Sequence, residues 1–439
     1  MKRGFLNNKR NDTRVPENKA PIQRISVTDN AIPNSPALAG CSQQNADREQ
    51  LQFRFSSVCR LYSRDPAIVV GDHRLPSGSE SSFLYLPTEN PTMVFVAPLD
   101  MVQAVAEWDT IKHPCAPLQN PPFIVRSSGS KGLGMFASRA ITRGELIMRE
   151  RPIYVAHPSL SILPDQKHSF FISALAGLSP ASRNALMLLR NAQPETPDVG
   201  MVRGILLTNA LAAKITHLPN APLFPSVFPT ICRANHDCTP NAHYVFCAET
   251  FCGQLFALHN MAQGEEITIG YTELAATKAT RRESLETKYH FVCECSTCCL
   301  PPERAAESDR RREVIAGYLA SMKKGEQFPT GASLAQVKNM MRWADEEGLV
   351  EVASILGISA WRLARSSDDL LEQVKMMVVV INYARVLEGK ESVTFQTLAK
   401  RMDLSTEELG GVLDSSTPET LDYAYLAQRL APTMAKSSR

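Results

Sequence analysis

An imbalance of charge is what this sequence most plainly lacks: 47 lysines and arginines meet 45 acids across 439 residues, a formal net charge of +2. No global field draws such a chain to nucleic acid, so direct nucleic-acid binding is not expected. Long apolar runs are missing too. The longest, such as Met376 to Ile381, fall far short of the ~20 residues that a membrane span needs. The opening Met1-Lys2-Arg3-Gly4-Phe5-Leu6-Asn7-Asn8 has no apolar stretch of the secretory type. The expectation is an intracellular protein of nucleus or cytoplasm, with no membrane partner. Its 11 cysteines are an odd number, concentrated late in the chain. Without a secretion signal they point to metal ligands and free thiols, not to a disulfide frame.

What is present suffices for a packed core. Hydrophobic residues make up 44% and charged residues 21%, an ordinary globular balance. At roughly 150 residues per domain the length suggests about three parts. Residues 1–50 are rich in Asn, Gln, Ser and Pro and read as a disordered tail. Residues 51–120 form an extension of uncertain fold, with short apolar runs at Phe83–Leu86 and Met93–Val96 between Pro and Gly. From Pro121 the texture changes. Phe123-Ile124-Val125 reads as a strand, and Gly144-Glu145-Leu146-Ile147-Met148 as a turn entering another. The segment Ala137–Ile147 echoes Ala257–Ile267 at Ala, Gly, Glu and Ile, as two similar hairpin turns would. Ser169–Leu189 and Val202–Lys214 have helical composition, which places a helical insertion at about 159–217 within a β-rich region. Beyond Leu300, Leu370, Val374, Met377, Ile381 and Ala384 recur at spacings of four and three, as do Leu334, Val337, Met341 and Ala344. Such stripes are core faces of helices, so residues 301–439 read as an α-helical domain.

Three segments carry chemistry. In Lys131-Gly132-Leu133-Gly134, paired glycines let backbone approach a ligand closely. Asn235-His236-Asp237-Cys238-Thr239-Pro240-Asn241 crowds Asn, His, Asp and Cys into one loop, although Asn and Asp also favour plain turns. In Phe291-Val292-Cys293-Glu294-Cys295-Ser296-Thr297-Cys298-Cys299, Cys293, Cys295 and Cys298 supply three thiolates at the tight spacing of a tetrahedral zinc site. The fourth ligand would be Cys299, His290 or a remote residue such as Cys238. Between the last two segments lies Gly264-Glu265-Glu266-Ile267-Thr268-Ile269-Gly270-Tyr271.

In this order the segments resemble a SET domain, the fold of protein lysine methyltransferases. Gly132-Leu133-Gly134 is similar to its first cofactor motif, and Asn235 to Asn241 to its Asn-His-x-Cys-x-Pro-Asn signature. Gly264-Glu265-Glu266 through Tyr271 is similar to its Gly-Glu-Glu-Leu…Tyr ending, and the Cys-x-Cys-x-x-Cys to its post-SET zinc segment. The resemblance covers about 121–300. The run from Tyr271-Thr272-Glu273 through Arg281-Arg282, Leu285, Tyr289 and Phe291, with helices beyond, resembles the SET-and-MYND branch and its fungal relatives. No second cysteine-histidine cluster stands for the MYND zinc module.

The resemblance implies an α+β fold: a SET-domain β-fold with a helical insertion and post-SET zinc segment, then an all-α C-terminal domain. It implies S-adenosylmethionine-dependent methylation of a protein lysine, histone or non-histone. Asn235 and His236 would hold the cofactor, with backbone help from Gly132 and Gly134. Phe291 would stack on adenine, Asn209 is a further candidate for cofactor contact, and Tyr271 would sit at the methyl-transfer point. Cys238 would join Cys293, Cys295 and Cys298 on a structural zinc. Four residues depart from the pattern: Asp237 replaces Ser, Ala234 an aromatic residue, Gly270 an Asp, and Ile269 the Phe or Tyr of many histone-type members. Two rival readings are a catalytically idle SET scaffold that binds partners through its helices, and a plain zinc-bound interaction module.

Overall fold

The structure is a computed structural model that describes residues 61–62, 68–74, 80–87, 90–112, 115–158, 167–194, 200–218, 222–323, 332–367, 369–401, 404–415 and 423. The expected tail at 1–50 lies outside the described residues. The extension begins with β1 (Leu61–Tyr62), β2 (Ile68–Arg74), β3 (Glu80–Leu86) and β4 (Met93–Pro98), an antiparallel series. Helices α1 (Leu99–Ala106) and α2 (Asp109–Lys112) follow. The apolar runs seen in the sequence are the centres of β3 and β4. Phe83 to Leu86 and Met93 to Val96 are all buried, without the alternation of a strand that has one wet face.

The middle of the chain supplies β5 (Phe123–Ser127), β6 (Leu133–Ala137), β7 (Leu146–Glu150) and β8 (Tyr154–Ala156). Helices α3 (Lys167–Ala176), α4 (Pro180–Met187) and α5 (Met201–Asn209) come next, then β9 (Leu211–Lys214) and β10 (Leu223–Val227). The helical pattern of Val202–Lys214 stops at Ala210, whose backbone is extended. From Leu211 onward the ladder with β10 wins over the helix propensity of Leu and Ala. Strands β11 (Asn235–His236), β12 (Ala242–Cys247), β13 (Cys252–Ala257) and β14 (Glu266–Ile269) complete three sheets. Their orders are β1-β2-β3-β4-β8-β10-β9, β11-β14-β6-β5 and β12-β13-β7. The extension is stitched to the rest by β4 lying parallel to β8, with Val94 opposite Tyr154 and Phe95 opposite Val155. The two echoing turns meet each other. Ile141 and Met261 form an antiparallel bridge, and Gly144 and Gly264 both take positive φ, of 82° and 85°. That region of backbone favours glycine, which explains the shared residue.

After α6 (Lys278–Tyr289) come α7 (Pro302–Lys323), α8 (Leu334–Glu346), α9 (Val350–Ala364), α10 (Leu370–Glu388), α11 (Val393–Arg401) and α12 (Thr406–Ser415). The stripe on α10 buries Val374, Met377, Ile381 and Ala384, and that on α8 buries Val337 and Ala344. Ser333 and Gln336 form a reciprocal capping box that starts α8. Leu258 and Ala275 join the core of these helices, so the strands and the helical region share apolar packing.

One buried ion pair helps fix the seam. Arg312 on α7 is fully buried. Its Nη2 lies 3.0 Å from Glu347 Oε2, and Ser308 Oγ donates to the same oxygen at 2.6 Å. Arg312 Nη1 donates to the carbonyl of Leu274, three residues past Tyr271. Burial, then the nearby Arg281 cation, push this guanidinium below its ordinary range, and Glu347 opposes them. Removing the carboxylate would strand a buried cation. Glu347→Ala is therefore expected to lower stability by about 3–5 kcal/mol in denaturant unfolding. Glu307→Ala, which removes solvent-exposed pairs with Arg310 and Arg311, should leave the midpoint almost unchanged. Equal midpoints for all three proteins would contradict the assignment.

Candidate active site

The site is built where the loop after β10 meets the end of β14. Strand β11 runs parallel to β14, with Asn235 opposite Thr268 and His236 opposite Ile269. Asn241 staples the far end of the loop. Its Nδ2 donates to the Glu266 carbonyl at 2.9 Å, and its Oδ1 accepts from the Thr268 N–H at 2.8 Å. His236 is buried between the two segments. The backbone N–H of Tyr271 donates to its Nδ1 at 3.0 Å. With Nδ1 an acceptor the proton belongs on Nε2, which donates to Cys238 Sγ at 3.3 Å. The Tyr271 hydroxyl donates to the carbonyl of Ala234 at 2.7 Å. Its ring centroid lies 5.4 Å from that of His236 and 5.2 Å from that of Tyr289.

Cys238 belongs to a second constellation. Its sulfur and those of Cys293, Cys295 and Cys298 all lie within 4.8 Å of one another, with Cys238 at 3.9 Å from Cys293 and 3.5 Å from Cys298. A tetrahedron with zinc–sulfur bonds of about 2.3 Å has edges of about 3.8 Å, so the four thiols fit one zinc ion. Of the alternatives left open by the sequence, it is Cys238 that joins the three close cysteines. The fully buried Arg281 donates from Nε to Cys238 Sγ at 3.2 Å. Burial pushes this guanidinium down, but Cys238 and Cys298 together outweigh it and hold the group above its ordinary range. Two N–H donors on one sulfur suit a thiolate ligand and orient it. Arg282 clamps the segment from outside, with Nε on the Cys293 carbonyl at 3.1 Å and Nη2 on that of Cys298 at 3.3 Å.

Between the two constellations opens a cleft of about 770 Å³, within the ~300–1,000 Å³ of small-molecule sites. Gly132, Asn209, Asn235, His236, Tyr271 and Phe291 all line it. Gly132, at φ 87°, turns the backbone into its wall. Asn209 is buried, and its Nδ2 donates to the carbonyls of Arg190 and Ile205, both at 2.8 Å. Gly134 stands behind the wall. A Cβ there would lie 2.7 Å from Glu266 Oε1 and 3.0 Å from Asn235 Nδ2, so the glycine permits their contact. The lining combines apolar and aromatic residues, Leu133, Leu188, Tyr289, Phe291 and Val292, with the polar Lys131, Arg190, Arg233 and Asn235. This lining suits a ligand that carries both a flat ring and charged groups.

The structure adds residues to which the sequence reading gave no role. Arg281, Leu285 and Tyr289 lie on the buried face of α6, and their spacing of four just before the cysteine segment was the available signal. Arg190, Arg233 and Lys131 reach the cleft from separate segments; Lys131 opens the glycine segment and Arg233 precedes the Asn235 loop, whereas no local pattern announces Arg190. Glu266 accepts from Asn235 Nδ2 and Ser128 Oγ, each at 2.7 Å, and pairs with Lys131 Nζ at 3.0 Å. Burial pushes its carboxyl up, but these three partners outweigh burial and hold it below the ordinary range.

The departures have physical reasons. An ideal Cβ at Gly270 would lie 2.9 Å from Leu274, so glycine lets Leu274 pack against the strand end. Asp237 Oδ1 accepts from the Thr239 N–H at 2.8 Å, a turn contact that serine also makes. Ala234 is fully buried beneath the Tyr271 hydroxyl.

Residues 132–272 match the SET domain family. The chain thus carries a SET domain in an α+β fold, followed by a helical region. Among curated proteins, the histone-lysine N-methyltransferase set5 of Schizosaccharomyces pombe is 26% identical over 238 residues, 53% of this chain and 69% of that protein. The histone-lysine N-methyltransferase ASHR1 of Arabidopsis thaliana is 40% identical over 146 residues, 33% of this chain and 27% of that protein. The human histone-lysine N-methyltransferase SMYD3 is 31% identical over 114 residues, 26% of each chain. The chain thus spans about a quarter of the length of the plant and human relatives. Among solved structures, the SET domain of LSMT bound to lysine and AdoHcy is 15% identical, with a TM-score of 0.27 over 71% of this chain and 91% of that one. The Neurospora histone lysine methyltransferase DIM-5 is 18% identical, with a TM-score of 0.18 over 35% of this chain and 54% of that one.

Purified protein is expected to hold close to one zinc per chain by elemental analysis. Cys238→Ser should fall well below that, because each thiolate is one corner of the tetrahedron. Cys299→Ser should keep the full content, since Cys299 is exposed and outside the set. Zinc-free wild type, or unchanged zinc in Cys238→Ser, would contradict the ligand set.

Proposed function

We propose that the chain transfers a methyl group from S-adenosylmethionine to the side-chain amine of a protein lysine, histone or non-histone. The observation that carries this reading is Tyr271. Its hydroxyl is anchored to the Ala234 carbonyl, and its ring is held by His236 and Tyr289 at the wall of a cleft lined by the motif residues. The cofactor would be held by Asn235, His236 and the Gly132 backbone, with Phe291 against the adenine; Gly134, expected to share that task, would act from behind the wall by making room for the Glu266–Asn235 contact. When bound, S-adenosylmethionine supplies a methyl on a sulfonium that needs no further activation.

The remaining work belongs to the chain. A lysine amine has an unperturbed pKa of about 10.4, so little of it is neutral at pH 7. Buried aromatic surroundings disfavour its cation and help it lose the proton. Because the Tyr271 hydroxyl donates its hydrogen to Ala234, its oxygen is left as an acceptor for the amine N–H, which fixes the direction of the nitrogen lone pair. Such alignment supplies most of the acceleration. Ile269, buried two residues earlier, leaves more room beside the amine than an aromatic residue would. Among the described residues no helix is long and apolar enough to cross a membrane. We place the activity inside the cell, in nucleus or cytoplasm.

Tyr271→Phe keeps the ring and removes only the hydroxyl. It is expected to slow transfer of radiolabelled methyl by about ten- to a thousandfold, or about 1.4–4 kcal/mol of barrier. Cofactor affinity should stay within about twofold, because the hydroxyl acts on the amine. Equal rates would refute the role. Bound cofactor with no labelled product across a broad protein array would favour the idle scaffold. Asn235→Ala should weaken cofactor binding about five- to a hundredfold in calorimetry. Wild type that binds no cofactor would favour the zinc-bound interaction module.

A further inference from the structure

Asn235 meets the cleft with both of its amide hydrogens committed elsewhere. Nδ2 donates to Glu266 Oε1 at 2.7 Å and to the Leu133 carbonyl at 3.3 Å. The atom left for a ligand is Oδ1, an acceptor. A flipped amide would set Oδ1 against the Glu266 carboxylate, acceptor against acceptor, and leave a donor toward the ligand. The carboxylate therefore decides which end of the amide faces the cleft.

Glu266 is itself gripped. Ser128 Oγ donates to the same Oε1 at 2.7 Å, and the Lys131 ammonium lies 3.0 Å from Oε2. Gly134 permits this approach, since its Cβ would collide with both Glu266 and Asn235. The side chain of Glu266 is only 19% exposed, so water competes poorly for the part-buried bonds at Oε1. The same corner of the cleft holds cations. Arg190 Nη1 donates to the Lys131 carbonyl at 3.3 Å, which brings the guanidinium beside Lys131. Cations for a carboxylate, next to an acceptor for an ammonium, match a zwitterion.

We infer that Glu266 is a positioning residue that locks Asn235 as acceptor for the ammonium of an α-amino-acid group, and so selects the amino-acid end of the cofactor. The inference rests on the methyltransferase reading above and adds a residue and a selectivity to it.

The test compares two ligands by calorimetry on the full chain. S-adenosylmethionine carries the amino-acid end, whereas 5′-methylthioadenosine keeps the nucleoside and sulfur without it. Glu266→Ala is expected to weaken S-adenosylmethionine by about tenfold or more, the loss of one buried polar contact. 5′-Methylthioadenosine should change by less than about twofold, because it never meets the Asn235 oxygen. Glu266→Gln, which still offers one oxygen to Asn235 and Ser128, should keep S-adenosylmethionine within about fivefold. Equal weakening of both ligands would make Glu266 merely structural and overturn the inference, as would no weakening at all. If 5′-methylthioadenosine is too weak to register, equal S-adenosylmethionine affinities in Glu266→Ala and Glu266→Gln would overturn it. If Glu266→Ala does not fold, Ser128→Ala releases one clamp and should weaken S-adenosylmethionine alone; unchanged affinity there would overturn it. Wild type that binds S-adenosylmethionine isolates a failure of this inference. Wild type that binds neither ligand contradicts the methyltransferase reading and takes the inference with it.

Discussion

The sulfur of Cys238 is the point on which the site depends. It is one of four thiols at zinc-binding separation, and it accepts from His236 Nε2 and Arg281 Nε. His236 passes the constraint on, because its other nitrogen takes the Tyr271 N–H. Cysteine cluster, signature loop and tyrosine are therefore one mechanical unit. Metal would tie Cys293, Cys295 and Cys298, and with them Phe291 and Val292, against the cleft wall. By donating to a ligand sulfur on one side and accepting a backbone N–H on the other, His236 fixes the direction from which that sulfur would meet a metal.

The helical region is bound to the same unit from the other side. Arg281 and Arg312 are two buried cations, the first answered by Cys238 and the second by Glu347. Arg312 also holds the Leu274 carbonyl, and Leu274 packs where Gly270 leaves space. Glycine before Tyr271 thus makes room for the Leu274 side chain, which packs against the helical core, while the Tyr271 hydroxyl keeps its acceptor on Ala234. Beyond Ile269 and Gly270, a second cavity of about 350 Å³ runs toward α9, lined by Leu274, Leu349 and Val352 among others.

Much of this was legible in the sequence where spacing carries meaning. The cysteine triplet, the Asn-His-Asp-Cys loop and the stripes on α8 and α10 are local patterns, and local patterns survive as text. What was not legible was tertiary. Arg190 reaches the cleft from a segment that no motif marks, and Glu266, although part of the Gly264-Glu265-Glu266 motif, had no role until Asn235 was placed beside it. The end of α5 was misjudged because Ala and Leu favour helix locally, while β10 offered Leu211–Lys214 a ladder. The apolar runs in 51–120 signalled strands, but not that β4 would pair in parallel with β8 and extend the sheet beside the site.

The central claim is that metal and cofactor sites are one unit joined through Cys238 and His236. It is tested most directly by titrating S-adenosylmethionine calorimetrically into three samples: zinc-loaded protein, protein stripped by a chelator, and stripped protein given zinc again. Because metal affinity is coupled to local folding, stripping is expected to weaken cofactor binding by about tenfold or more, and restored zinc to recover it. The same affinity in all three samples would contradict the account.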